Sequence, residues 1–275
     1  MPATDDLHRP KGRILTLAAL LGRQVRFSLE RVGSAAWLMT RAIRGFFTLR
    51  LDQLGVIHRV VRMQIRFTAL DALPLTMITA LLLGGITLIQ VFGQLSSYGA
   101  ESYLSQLLAK LVIRELGPLM VGVIVIGRSG TAIAAEMASM KLSGEVDALV
   151  AMGVNPIQYL LVTRMVGGMI SVFCLIIYFD ATALLGGFLV AWSRLPLSIA
   201  HFLHSLMDVI GARELAITFL KAIVFGAAVP LLCASYGLRV RRSTTEIPQA
   251  VTRAAVASLL LVFVTGSLLS AAFYG

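Results

Sequence analysis

Two stretches of the chain, Ala72 to Gly93 and Ala254 to Gly275, contain no charged residue. Each is long enough to cross the hydrocarbon core of a bilayer, which takes about 20 apolar residues for a thickness of roughly 30 Å. Inside that core the backbone has only itself to hydrogen-bond with, so a crossing segment is a helix or a strand of a closed barrel. Barrel strands would read as segments of about ten residues with alternating polarity, and the sequence has none. With 57% of its 275 residues hydrophobic and 14% charged, the chain is predicted to be an all-α polytopic membrane protein.

The net charge of +10 is unevenly placed. Residues 1–66 hold 12 of the 24 Lys and Arg against four acids. That distribution suits a cytoplasmic segment lying on anionic lipid and argues against nucleic-acid binding. Between Arg23 and Leu49, the residues Arg23, Arg26, Glu30, Arg41 and Arg44 share an arc of roughly 60° at helical spacing, opposite Val25, Val32, Met39 and Ile43. This describes an amphipathic helix in the membrane interface; a tilted spanning helix is the alternative, opposed by Arg31 and the basic stripe. Residues 50–68, with Arg50, Arg59, Arg62 and Arg66, read as a cytoplasmic connector. Cys174 and Cys233 lie inside apolar runs and read as small hydrophobes, not a disulfide. No basic-then-apolar leader with a cleavage site opens the sequence, so no processing is expected.

Five spans are predicted: Asp71–Gly93, Tyr103–Gly127, Met165–Ser193, Leu215–Leu238 and Thr252–Tyr274. The 29 residues of the third would cover about 43 Å as helix, too little for two crossings and a turn. Placing the N-terminus in the cytoplasm puts 19 of the 24 basic residues on that side and only Arg194 and Arg213 opposite. The C-terminus is then periplasmic. Two units follow: residues 1–68, comprising tail, interfacial helix and connector, and residues 69–275, the membrane domain.

Polar groups between such apolar segments are costly and usually functional. Arg114-Glu115 opens one block and reads either as a self-neutralising pair or as the polar lining of a cavity for an amphiphile's headgroup. Asp180 and Lys221 form a possible second pair. Gly130, Ala134 and Ala138 repeat small residues every four positions, which permits close helix approach. Glu136 within that stripe would need Arg128 or a cation from another chain if buried. Gly127-Arg128-Ser129-Gly130 has the form of an intramembrane serine protease motif, but a nucleophilic Ser129 needs a base and no histidine lies inside a predicted span. His201, His204 and Asp208 share a face of the outer 194–214 loop; a solvated surface explains them better than a metal site.

From Lys141 to Pro156 the sequence predicts a short surface helix between two spans. Leu142, Val146, Leu149, Val150 and Gly153 fall on one face, Glu145 and Asp147 favour its N-terminal half, and Asn155-Pro156 ends it. Such a helix suits the groove of a soluble partner or packs on its own protein.

The runs RELGP (114–118), GRSGTAIAAEMASMK (127–141), GEVDALVAMGVNP (144–156) and the following Thr163-Arg164 strongly resemble the MlaE-type permeases, membrane subunits of bacterial ABC systems that move phospholipid between inner and outer membranes. The similarity covers about residues 24–275. It implies an inner-membrane homodimer of an interfacial helix and five spans per chain. It also implies two cytoplasmic P-loop ATPase subunits, a periplasmic hexamer of MCE-domain proteins and often a STAS-type protein. In that light residues 141–156 are the coupling helix seated in the ATPase, with Lys141, Glu145 and Asp147 as polar contacts and Leu149 and Met152 as apolar ones. Gln90, Tyr98, Arg114 and Glu115 map to the family's lipid cavity, while Gly127, Arg128, Gly130 and Glu136 serve packing. No cofactor is implied in this chain: it has no Gly-x-x-x-x-Gly-Lys-Ser/Thr loop, and ATP and Mg belong to the partner. Two features depart from the family. The acidic residue common near the middle of the last span is replaced by Val264-Thr265-Gly266, and Ser243 to Pro248 lacks the usual glycine-rich form. The competing readings are a protease using Ser129 and a scaffold that anchors an ATPase without transporting.

Overall fold

The computed structural model describes residues 54–97, 104–194, 211–241 and 243–274, with Thr40, Arg44 and His204 as isolated positions. The expected 23–49 interfacial helix, Tyr98 and the outer stretch with His201 and Asp208 lie outside the described residues. Among those described the secondary structure is helical, with no strand. Four helical stretches, at 58–95, 157–193, 212–237 and 244–274, are long and apolar enough to cross a membrane.

The expected connector is a helix, α1 (Leu54–Thr68). Its sequence carries the same signal as the 23–49 segment. Exposed Arg59, Arg62 and Arg66 form one stripe, while Val61, Ile65 and Thr68 turn inward. A short turn at Leu70–Ala72 leads into α2 (Leu73–Ser97), in which Pro74 stands in the first turn, where its missing N–H costs no hydrogen bond. The long helix expected from residue 165 is present as α7 (Thr163–Arg194) and forms the mast of the fold. It packs against α1, α2 and α8 (Ala212–Gly237), and α9 (Ile247–Tyr274) closes the bundle against α8.

Glycine sets the closest of these approaches, as expected of helices packed within a membrane. A Cβ on Gly84 of α2 would lie 1.9 Å from the Ala183 carbonyl oxygen of α7, and one on Gly168 of α7 would lie 2.3 Å from the Gly226 carbonyl oxygen of α8. Around these crossings Phe179, Leu175, Ile176 and Phe225 are fully buried. Facing outward, α2 exposes Leu75, Ile78, Leu82, Ile86 and Ile89, and α9 exposes Val256, Leu260, Phe263, Val264 and Leu268. Apolar stripes of that length are stable only against lipid or another chain.

The second expected span differs from its prediction. Instead of ending near Gly127, the helical path runs from Leu104 to Leu142 through α3 (Leu104–Leu111), α4 (Gly117–Val125) and α5 (Thr131–Leu142). Two π turns, Val112–Leu116 and Ile126–Gly130, join these segments. The small residues of α5 allow the continuation, because its backbone presses on α8: a Cβ on Gly237 would come 2.3 Å from the Ala134 carbonyl oxygen.

Candidate functional site

Several of the sequence motifs lie on or beside a π turn. RELGP straddles the first, GRSG lies in the second, and the third, Ile157–Val162, follows Asn155-Pro156 and leads into Thr163-Arg164. A π turn inserts one residue into the helical ladder and is often found at functional positions. In the first two the following N–H reaches back five residues, from Gly117 to Val112 and from Thr131 to Ile126. Side chains supply further donors. The Thr131 and Thr163 hydroxyls donate to the carbonyls of Gly127 (2.7 Å) and Tyr159 (2.6 Å). Pro118 has no N–H to offer the Arg114 carbonyl, and the Lys221 ammonium of α8 donates to it instead.

That contact belongs to a polar cluster at the end of the bundle where α8 begins and α9 finishes. Arg114 does not neutralise its neighbour Glu115: its Nη2 lies 2.7 Å from Glu214 Oε1 in the first turn of α8. Glu115 instead faces Lys221 Nζ at 3.5 Å, which removes Lys221 from the expected pairing with Asp180. Lys221 also donates to the Ser270 hydroxyl at 2.8 Å, and the Arg114 guanidinium stacks on the Tyr274 ring with its carbon 4.3 Å from the centroid. Lys221 is only 1% exposed, whereas the Glu115 side chain is 38% exposed. A buried cation thus holds a carboxylate whose outer part remains reachable, and Nε–H of Arg114 meets no acceptor among the described residues. Gln90 is exposed on α2 and shares no hydrogen bond with this cluster.

Asp180 lies on α7, 8% exposed, with Oδ1 unpartnered among the described residues. It sits against Gly117, where a Cβ would fall 1.9 Å from that oxygen. The acid therefore requires glycine at 117, a reason for the RELGP glycine that sequence spacing does not reveal.

At the opposite end of the bundle stands α6 (Glu145–Ala151), a seven-residue helix. It is shorter than the expected 141–156 helix, and the reason is local. Gly144 and Gly153 adopt φ of +79° and +75°, left-handed turns that suit glycine and break the helix on both sides. Lys141 and Leu142 consequently finish α5, and Asn155 caps the next element by accepting the Ile157 N–H at 3.0 Å. Val146 and Leu149 pack against the core, while Glu145, Asp147, Val150 and Met152 are exposed, Met152 by 69%. Lys141 Nζ bridges to Asp147 Oδ1 at 3.0 Å, and the Ser143 hydroxyl donates to Glu145 Oε1 at 2.8 Å, so the turn that precedes α6 is tied down.

Further charged residues lie between α6 and the spans. Glu136 finds its cation not on Arg128 but on Arg164, whose Nη2 is 2.7 Å from Oε1. Arg128 pairs with Asp71 (3.3 Å) and donates to the Phe67 carbonyl (2.6 Å), fastening the second π turn to the start of α2. Gly130 lies against Cys233, and Gly127 is exposed with open space beside it. Ser129 is buried with no hydrogen-bond partner for Oγ among the described residues, so it lacks the base that a nucleophilic serine needs.

The family described as Permease MlaE matches residues 61–272, which include both polar levels and α6. A probable ABC transporter permease protein of Rickettsia typhi is 29% identical to the chain over 257 residues, covering 94% of the chain and 97% of the relative. The Haemophilus influenzae intermembrane phospholipid transport system permease protein MlaE is 27% identical, covering 95% and 99%. The chloroplastic protein TRIGALACTOSYLDIACYLGLYCEROL 1 of Arabidopsis thaliana is 26% identical, covering 84% of the chain and 66% of the relative. With motifs, helical bundle and family match in agreement, the chain belongs to the MlaE family of ABC transporter permeases.

Proposed function

We propose that this permease moves phospholipid between the inner and outer membranes, driven by a separate cytoplasmic P-loop ATPase whose stroke enters through α6. The observation that carries the reading is the construction of α6. Glu145, Asp147 and Val150 on the helix and Met152 just past its end are exposed and make a mixed polar and apolar surface, while Val146 and Leu149 root the same helix in the core. Force applied to that face passes into α5 and the third π turn, the elements on either side of it. Across the bundle, the half-exposed Glu115 and the stacked Arg114 offer both signs of charge to a headgroup, and the Haemophilus relative is named for phospholipid transport. The relatives' names support an ABC system, in which ATP and Mg reside in the partner and this chain needs no cofactor of its own.

In this reading the α6 end is cytoplasmic, as the bias of basic residues requires, and the α9 end is periplasmic. Residues 1–68 lie along the inner leaflet of the inner membrane and residues 69–275 form the membrane domain, with Gln90 and Tyr98 completing the lipid cavity. The working unit is a homodimer with two ATPase subunits, a periplasmic MCE-domain hexamer and, in some assemblies, a STAS-type protein.

Reversing charge at Glu145 and Asp147 together should abolish ATP-driven lipid transfer by about tenfold or more while the permease still folds and its ATPase still hydrolyses ATP. Transfer from reconstituted vesicles and ATP turnover, measured side by side, test this. Unchanged transfer would remove α6 as the coupling element. For the dimer, the exposed stripe of α9 is the candidate face. Cysteine at Leu260, in a background with Cys174 and Cys233 replaced by serine or alanine, should give a disulfide-linked dimer in membranes. Cysteine at Leu82 on α2 should not, and cross-linking that is equal at both positions would remove α9 as the dimer face.

A further inference from the structure

The polar cluster beside Lys221 is not the only place where charge meets an apolar wall. At the α6 end, a cavity of about 330 Å³ lies between α1, α5 and the third π turn, lined by Met63, Gln64, Phe67, Glu136, Tyr159 and Arg164 among others. Arg164 is 7% exposed. Its Nη2 serves Glu136, its Nη1 serves the Leu160 carbonyl at 3.1 Å, and its Nε–H has no acceptor among the described residues. A guanidinium carries five N–H donors, so this one retains donor capacity. Glu136 is 56% exposed on the side chain and remains open to approach from outside.

We propose that this cavity binds the headgroup of a zwitterionic phospholipid, with the phosphate at Arg164 and the ammonium at Glu136, as a site separate from the Arg114–Glu115 cluster. Charge selects the ligand class. A simple anion would meet the Glu136 carboxylate and a simple cation the Arg164 guanidinium, whereas a molecule carrying both signs satisfies each. Size agrees, because the volume stands at the low end of the roughly 300–1,000 Å³ typical of small-molecule sites. It accommodates a headgroup and glycerol backbone and leaves the acyl chains outside. Their path is the apolar edge of α1, where Met63 is 68% and Phe67 36% exposed beside the arginine stripe. An amphipathic helix of that composition lies at headgroup depth. The mouth of the cavity therefore opens where lipid headgroups are.

The test uses the full chain in nanodiscs containing a phosphatidylethanolamine that carries a photoactivatable group near the glycerol. Cross-linked residues are mapped by mass spectrometry. Labelling should concentrate on Met63 to Phe67 and Met140, and Glu136→Gln should lower it about tenfold, the loss of one charge-assisted contact. An otherwise identical phosphatidylglycerol probe should gain by the same substitution. Met63→Trp, which fills the cavity from an exposed position, should block labelling with the melting temperature unchanged. Competition by soluble glycerophosphoethanolamine would support the headgroup assignment, and competition by inorganic phosphate alone would replace it with a free-phosphate site. Labelling spread evenly over the exposed face of α2, or insensitive to both substitutions, would overturn the proposal.

Discussion

Gly226→Val should leave almost no folded protein to purify. A Cβ at this position would sit 2.5 Å from Met169 Cα, 2.7 Å from the Gly168 carbonyl oxygen and 2.8 Å from the Met169 nitrogen. All three obstacles are backbone, so no rotamer change relieves them and the two helices must separate. The helices concerned, α7 and α8, form the centre of the bundle, where Phe179, Ile176 and Phe225 are fully buried. Overpacking usually costs about 1–3 kcal/mol when side chains can adjust. With rigid backbone on the other side the expected cost is about 4 kcal/mol or more, a large share of a typical domain's stability. Gly93→Val provides the comparison, because Gly93 is exposed on α2 and no described residue lies within 4 Å of its Cβ position. That variant should melt within a few degrees of the parent. Size-exclusion profiles and thermal melting in detergent measure both. A well-behaved Gly226→Val protein would show that α7 and α8 cross at a greater distance.

The bundle itself was largely legible. Charge-free runs revealed α2 and α9, and the length argument recovered α7 as a single helix. Other features escaped for definable reasons. Apolar periodicity tolerates an inserted residue, so the three π turns left no trace beyond the motifs that sit on them. Arg114 and Glu115 are neighbours in sequence, but successive side chains leave a helix about 100° apart. Each consequently met its own partner on α8, a hundred or more residues away. The bounds of α6 were within reach: Gly144 and Gly153 carried the helix-ending signal, which the downstream Asn155-Pro156 eclipsed. The α1 helix was equally readable, since its arginine spacing matches that of the segment at 23–49. No pattern in the sequence, however, links Glu136 to Arg164 or Asp180 to Gly117, because these are contacts between helices whose rotation only packing decides.

Lys221→Met should be the most damaging single change in the polar cluster. Lys221 is buried, and its ammonium answers three groups: the Glu115 carboxylate, the Ser270 hydroxyl and the Arg114 carbonyl. Methionine preserves the volume but leaves all three, and Pro118 prevents the backbone from repairing the last. Breaking a buried pair from one side costs about 3–5 kcal/mol, because the partner charge remains without compensation. The companion variant Glu115→Gln with Lys221→Met removes both charges and should recover part of that loss. Arg114→Met should cost less, since its side chain is 28% exposed and Glu214 sits in the first turn of α8, where a helix N-terminus favours negative charge. Last, Ser270→Ala should cost only about 1 kcal/mol, one hydrogen bond. Melting temperatures of the four variants, with bound phospholipid counted by mass spectrometry, separate stability from lipid retention. Were Lys221→Met as stable as Ser270→Ala, the cluster would not hold α8 to the RELGP turn. Were the double variant to melt like the parent yet lose its lipid, the Glu115–Lys221 pair would serve the substrate and not the fold.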